Sequence, residues 1–190
     1  MHPDFVPWIE GFWTAFALIW VLAAFGTKRE VRRQSGSSRL VQVGLSVAAG
    51  LLLFDPYLNI GFLRLRLSPD STLLAYAGIV MTAAGMAFAG WARFVLGGNW
   101  SGRVTIKQDH ELVERGPYAL VRHPIYSGML LALLGTAICL GEFRAFLAFV
   151  LVTVSFSLKY HTEEAFMLQQ FGSQCREYRL RTKALIPFVL

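Results

Sequence analysis

The chain has 190 residues, of which 55% are hydrophobic and only 16% charged, and its mean hydropathy is +0.48. So little polar surface excludes an ordinary soluble domain, and the apolar residues fall in runs near the roughly 20 that cross about 30 Å of hydrocarbon. The net charge of +6 sits where it would orient the chain and touch anionic lipid; with no stacking platform or nucleic-acid-reading motif beside it, it argues against nucleic-acid binding.

Taken in chain order, the apolar runs predict five membrane helices. Residues 8–25 form the first, with Glu10 near its outer end. Residues 40–60 form the second, and Asp55 and Pro56 mark where it should leave the membrane. Residues 73–96 form the third and clearest. Its Gly78, Ala84, Gly85, Ala89 and Gly90 would let another helix approach the backbone closely, without saying whether that neighbour belongs to the same chain. Residues 125–140 and 144–160 are shorter and separated only by Gly141, Glu142 and Phe143. They predict a tight antiparallel hairpin whose members need not each span the bilayer. The fold class is therefore an all-α integral membrane protein of about five transmembrane helices. Residues 1–96 hold three of them, and residues 97–190 hold a loop, the hairpin and a tail.

Orientation follows from the short loops. Lys28, Arg29, Arg32, Arg33 and Arg39 stand against one acid, Glu30, and a Lys- and Arg-rich short loop belongs on the cytoplasmic side. Counting onward, the loop 97–124 and the tail after Tyr160 are cytoplasmic, while the N-terminus and the smaller basic pair Arg64 and Arg66 lie outside. The opening MHPDFVPW has no Lys or Arg and no small-residue cleavage site follows the first apolar run, so the first helix is expected to be retained. Cys139 and Cys175 fall at opposite membrane ends and form no CxxC pair, which argues against a disulfide or a thiolate metal site.

Most of the His, Tyr and Glu residues lie after Gly97. The hairpin must bring its entrance, residues 123–126, near its exit, residues 159–164, at one membrane surface. At the entrance, Pro124 has no N–H to lose at a first helical position and His123 can occupy the cap. A helix start flanked by Arg122 favours an anion such as a carboxylate; the plainer reading is a snorkelling Arg beside a capped helix. At the exit, Lys159 and Glu163 share a helical face, as do Tyr160 and Glu164. Carboxylates so close to lipid need partners, which means either an interfacial ion pair or a site for a cation or polar cofactor. His110 and His161 fit no metal-ligand spacing. There is no strand followed by GxGxxG, no Walker loop and no GxSxG elbow, so nucleotide-domain and serine-hydrolase chemistries have no support. Trp91, Trp100, Tyr118 and Tyr126 cluster near the predicted cytoplasmic interface, where an aromatic belt is the default reading.

HELVERGPYALVRHPIYSG, residues 110–128, resembles in order and spacing the His-x-Leu-Val, Gly-x-Tyr and Arg-His-Pro-x-Tyr signature of the isoprenylcysteine carboxyl methyltransferase family. Its relatives include bacterial and archaeal membrane methyltransferases and the phospholipid methyltransferases. EEAFMLQQFGSQCREY, residues 163–178, with Leu185, Ile186 and Pro187 beyond it, resembles the family's second signature. The match covers the C-terminal half, and the first half agrees only in hydropathy.

The resemblance implies a methyltransferase that uses S-adenosylmethionine in a cytoplasmic pocket, set in the inner membrane of a bacterium or archaeon. By it, His110, Glu111, Leu112, Val113, Tyr118, His123, Pro124, Ile125 and Tyr126 line the cofactor pocket and Glu163 closes it. Lys159 stands where the family usually carries an Arg that orients the acceptor carboxylate. Lysine keeps the charge but loses the planar fork, so the acceptor is a prenylcysteine-like carboxylate or another lipophilic carboxylate, phenol, amine or thiol, on a small molecule or a lipid-modified partner. Methyl transfer from a sulfonium is an in-line displacement that asks the protein to align the reactants and exclude water. The alternatives are a membrane reductase using NADPH and a non-catalytic membrane binding or transport protein; the latter is disfavoured because only Asp55 interrupts an interior stretch.

Overall fold

The computed structural model describes residues 5–24, 30–33, 36–55, 57–58, 60–100, 105–107 and 112–187. Within them the chain forms five α-helices: α1 (Val6–Ala24), α2 (Gly36–Phe54), α3 (Thr72–Leu96), α4 (Pro124–Leu140) and α5 (Phe143–Arg181). Strands β1 (Glu30–Arg33) and β2 (Thr105–Lys107) pair antiparallel. By length and composition α1, α3 and α5 can each cross a membrane, whereas α2 and α4 carry shorter apolar stretches. At 1.5 Å per residue the 17 residues of α4 reach only about 26 Å, short of a full hydrocarbon layer.

The glycines of α3 meet those of α4. A Cβ on Gly78 would lie 2.5 Å from the Gly135 carbonyl oxygen, and one on Gly85 would lie 2.4 Å from that of Gly128. Only glycine allows such backbone proximity, and dispersion contacts at this distance are what hold helices together in lipid. Between the two crossings, the Thr82 hydroxyl reaches the Ala132 carbonyl at 3.2 Å and the Thr136 hydroxyl at 3.3 Å. Trp13 of α1 donates its indole N–H to Thr136 at 3.0 Å. Of the small residues predicted to admit a neighbour, Gly78, Gly85 and Ala89 thus admit a helix of the same chain, whereas nothing lies within 4 Å of the Cβ position of Gly90.

α2 lies along α5, where Ser155 donates to the Gln42 carbonyl at 3.1 Å. Ala49 and Leu53 share the buried cluster with Ala145, Ala148 and Val152. The α4–α5 turn is made by Gly141, whose φ of 68° is the left-handed cap that glycine supplies at a helix C-terminus. Just beyond it, Glu142 and Arg144 form a buried ion pair of 2.6 Å, and Arg144 also donates to the Leu52 carbonyl at 3.1 Å. The link between α2 and α3 packs on this turn, with Leu67 N–H donating to the Gly141 carbonyl at 2.9 Å and Phe143 N–H to that of Leu65 at 2.8 Å. At the opposite end the β1–β2 ribbon joins the α1–α2 and α3–α4 links.

Two predicted boundaries are corrected. The second helix stops at Phe54 instead of running to residue 60, because Asp55 precedes a proline and is disfavoured in the α region. The last helix does not end near Tyr160: it continues to Arg181 with a break at Gly172 (φ 51°, ψ −115°). Hydropathy registers only the apolar part of a helix, whereas Glu, Gln, Met and Arg carry helical propensity on past the lipid.

Candidate active site

Beyond the apolar stretch of α5, its polar extension faces the entrance of α4. His123 is the residue preceding α4, with Pro124 at the first helical position as expected, but the imidazole makes no capping bond. It turns toward α5 instead. Its Nδ1 lies 3.5 Å from Glu163 Oε2 and its Nε2 lies 3.3 Å from Glu164 Oε1. The Tyr126 hydroxyl, one turn into α4, donates to Glu163 Oε1 at 2.6 Å. The Tyr126 ring stacks on His123 on one side and on Phe156 on the other, with centroids 5.5 and 4.7 Å apart. The Lys159 ammonium sits 5.3 Å from its centre, within cation–π range.

The helix start at the entrance favours an anion. The chain's own groups fill that role, since Arg122 places Nε and Nη2 each 2.7 Å from Glu164 Oε1. Arg122 also donates to the Thr182 carbonyl, and Arg179 lies 3.3 Å from Glu164 Oε2. The backbone N–H groups of Arg122 and His123 donate to the carbonyls of Lys183 and Ala184 at 2.8 and 3.0 Å. Ser127 adds a 2.5 Å bond to the Leu185 carbonyl, so residues 182–185 are strapped along the entrance.

The electrostatics follow from these contacts. Burial by itself would raise Glu163, but the bonds from His123 and Tyr126 and the charges of Lys159 and His123 outweigh it and hold the carboxyl below its ordinary range. Burial likewise opposes ionisation of Glu164, which His123 and Arg122 nevertheless hold down at about 2. Tyr118 is buried and pushed well above the ordinary phenol range, first by desolvation and then by the charge of Glu163. Its carbonyl accepts a 2.6 Å bond from the Tyr178 hydroxyl, which fixes the turn Gly116–Ala119 against the second half of α5.

Of the residues singled out from the sequence, His123, Tyr126, Lys159 and Glu163 come together within this cluster. Tyr118 lies beside it, and Pro124 and Ile125 are buried at the head of α4. Val113 packs on the apolar cluster and Leu112 is half-buried. His110 and Glu111 lie outside the described residues. Glu164, Arg122 and Arg179 were not singled out as a unit; two consecutive glutamates facing an Arg-His pair was the signal available for them.

The helices and the site define a polytopic α-helical membrane protein with an ionisable cluster of carboxylate, imidazole and phenol groups at one set of helix ends. The sequence model of the isoprenylcysteine carboxyl methyltransferase family matches residues 77–169, so that segment of the chain is similar to this family. A protein-S-isoprenylcysteine O-methyltransferase of Schizosaccharomyces pombe is 42% identical over 83 residues, 43% of this chain and 35% of the relative. A probable protein-S-isoprenylcysteine O-methyltransferase of Oryza sativa subsp. indica is 33% identical over 119 residues, 61% of this chain and 62% of the relative. The structure of a eukaryotic intramembrane Ras methyltransferase, isoprenylcysteine carboxyl methyltransferase, superposes with a TM-score of 0.53 at 25% identity, covering 84% of this chain and 55% of that one. The chain therefore spans from about a third to under two thirds of the length of these relatives.

Proposed function

We propose that this protein is a membrane methyltransferase that uses S-adenosylmethionine to methylate a lipophilic acceptor, with a prenylcysteine-like carboxylate as the leading acceptor class. The observation that carries the reading is the meeting of Tyr126 and His123 with Glu163: two separate signatures, with Tyr126 and Glu163 37 residues apart, close on one another at the helix ends. The names of the relatives point to the same reaction and acceptor.

The donor set suits such a cofactor. Carboxylates flanked by aromatic faces favour a ligand that carries positive charge and an aromatic base. When bound, S-adenosylmethionine supplies an electrophilic methyl group on a sulfonium. The chain itself has three tasks. Glu163, with Tyr118, His123 and Tyr126 around it, holds the polar part of the donor. Lys159 draws the acceptor's negative charge toward the site and favours its deprotonated form. Pro124, Ile125 and Phe156 keep water away from the reacting atoms, so that alignment and desolvation supply the rate. No residue is asked to form a covalent intermediate. A position just beyond the apolar part of α5 suits a water-borne donor and a bilayer-borne acceptor. The Lys and Arg distribution supports placing this end of the helices in the cytoplasm and the N-terminus outside.

Calorimetric titration of the detergent-purified chain tests the reading, with S-adenosylmethionine and S-adenosylhomocysteine as ligands and NADPH as the control. Both adenosyl ligands are expected to bind, and Glu163→Gln to weaken them by about tenfold, roughly 1.4 kcal/mol. Binding of NADPH alone would replace the methyltransferase with a reductase.

A further inference from the structure

His123 spans two consecutive carboxylates. Nδ1 meets Glu163 and Nε2 meets Glu164 at 3.5 and 3.3 Å, and an imidazole satisfies two acceptors at once only when both nitrogens carry protons. Glu164 in turn is held by Arg122 at 2.7 Å and by Arg179 at 3.3 Å. We infer that Glu164 is a positioning residue of the site: with Arg122 and Arg179 it anchors His123 through Nε2, so that Nδ1 is presented to Glu163 and the Glu163 carboxylate is aimed where a donor would sit. Glu164 acts through His123 and need not touch the ligand. The inference rests on the reading of Glu163 as a donor-binding group.

Among the described residues, charged groups reach the ring from several elements. Glu163 and Glu164 approach from α5, Arg122 adjoins the ring in the chain, and Lys159 lies over the Tyr126 ring that stacks on it. Tyr160 packs on the imidazole at 5.3 Å, and Arg179 lies beyond Glu164. Burial by itself would lower His123, but the two carboxylates raise it above its ordinary 6.5. The imidazolium's contribution to folding is complete below about 6.5 and is lost as pH rises through the raised folded value.

The test uses the full chain in detergent, with His2, His110 and His161 changed to Asn so that His123 is the sole histidine, followed by nitrogen NMR across pH. Glu164→Gln removes an anion from the ring, and the His123 midpoint is expected to fall. Arg179→Gln removes a cation that competes for Glu164, and the midpoint is expected to rise. Arg179 is partly exposed, which keeps this second variant informative if the first fails to fold. In the four-histidine chain, Glu164→Gln should weaken S-adenosylhomocysteine by about tenfold. Midpoints that do not move in folded variants, or an unchanged affinity, would overturn the inference. Midpoints that move as expected in a chain binding no adenosyl ligand would uphold the link from Glu164 to His123 while removing the methyl-donor reading.

Discussion

The Lys159 ammonium lies over Tyr126 while its charge helps keep Glu163 ionised, and by the resemblance this lysine stands where the family usually carries an arginine. A lysine on a flexible stem can still face an anionic acceptor, though without the two parallel bonds of a guanidinium. Lys159→Arg is therefore expected to retain or raise turnover of a prenylcysteine carboxylate. Lys159→Met is expected to lower kcat/KM ten- to a hundredfold, the scale of one lost hydrogen bond to a charged group. Transfer of labelled methyl to a farnesylated cysteine analogue measures both, and unaltered turnover in the Met variant would take Lys159 out of the reaction. Tyr178 has a different task. Burial first, and then the charge of Glu114, push its phenol well above the ordinary range, so it stays protonated and keeps donating to Tyr118.

At the level of elements, the α3–α4 pair decides where the entrance of α4 can stand. A side chain at Gly135 would begin 2.6 Å from the Gly78 carbonyl oxygen and from the Thr82 amide nitrogen, both backbone atoms that cannot turn aside. Gly135→Leu is expected to force the helices apart and cost at least the 1–3 kcal/mol typical of overpacking. It would be seen as a lower thermal midpoint and weaker adenosyl-ligand binding. Gly90, on α3 itself, has nothing within 4 Å of its Cβ position. Gly90→Ala should therefore leave the fold intact and add up to about 1 kcal/mol from helix propensity alone. Equal effects of the two substitutions would mean that α3 and α4 do not pack through their glycines.

For the molecule as a whole, the ribbon of β1 and β2 marks one end, and the turn with Glu142 and Arg144, covered by the α2–α3 link, marks the other. The proposed orientation, with the ribbon end in the cytoplasm, rests on the basic residues. With Cys139 and Cys175 changed to Ser, a cysteine at Lys183 should resist an impermeant thiol reagent added outside intact cells, and one at Arg64 should react. The reverse pattern would invert the topology and carry the Glu163–His123 cluster to the other face.

Five helices could be read from hydropathy because lipid exposure acts on each residue in turn, and a run of about 20 apolar side chains carries its own transfer energy wherever the chain goes. The same locality made the His123-Pro124 helix start, the Gly141 turn and the two signatures readable, since each depends on neighbouring residues. Partnership is not local. Gly78 and Gly85 announce a close approach in the sequence, but only the folded chain selects Gly135 and Gly128 as the other side. Glu164 is one polar residue among many until Arg122 and His123, before α4, and Arg179, far along α5, converge on it. The continuation of α5 past Tyr160 belongs with these, because a polar helix beyond the lipid is stabilised by what it packs against: here, the entrance of α4 and the strap of residues 182–185.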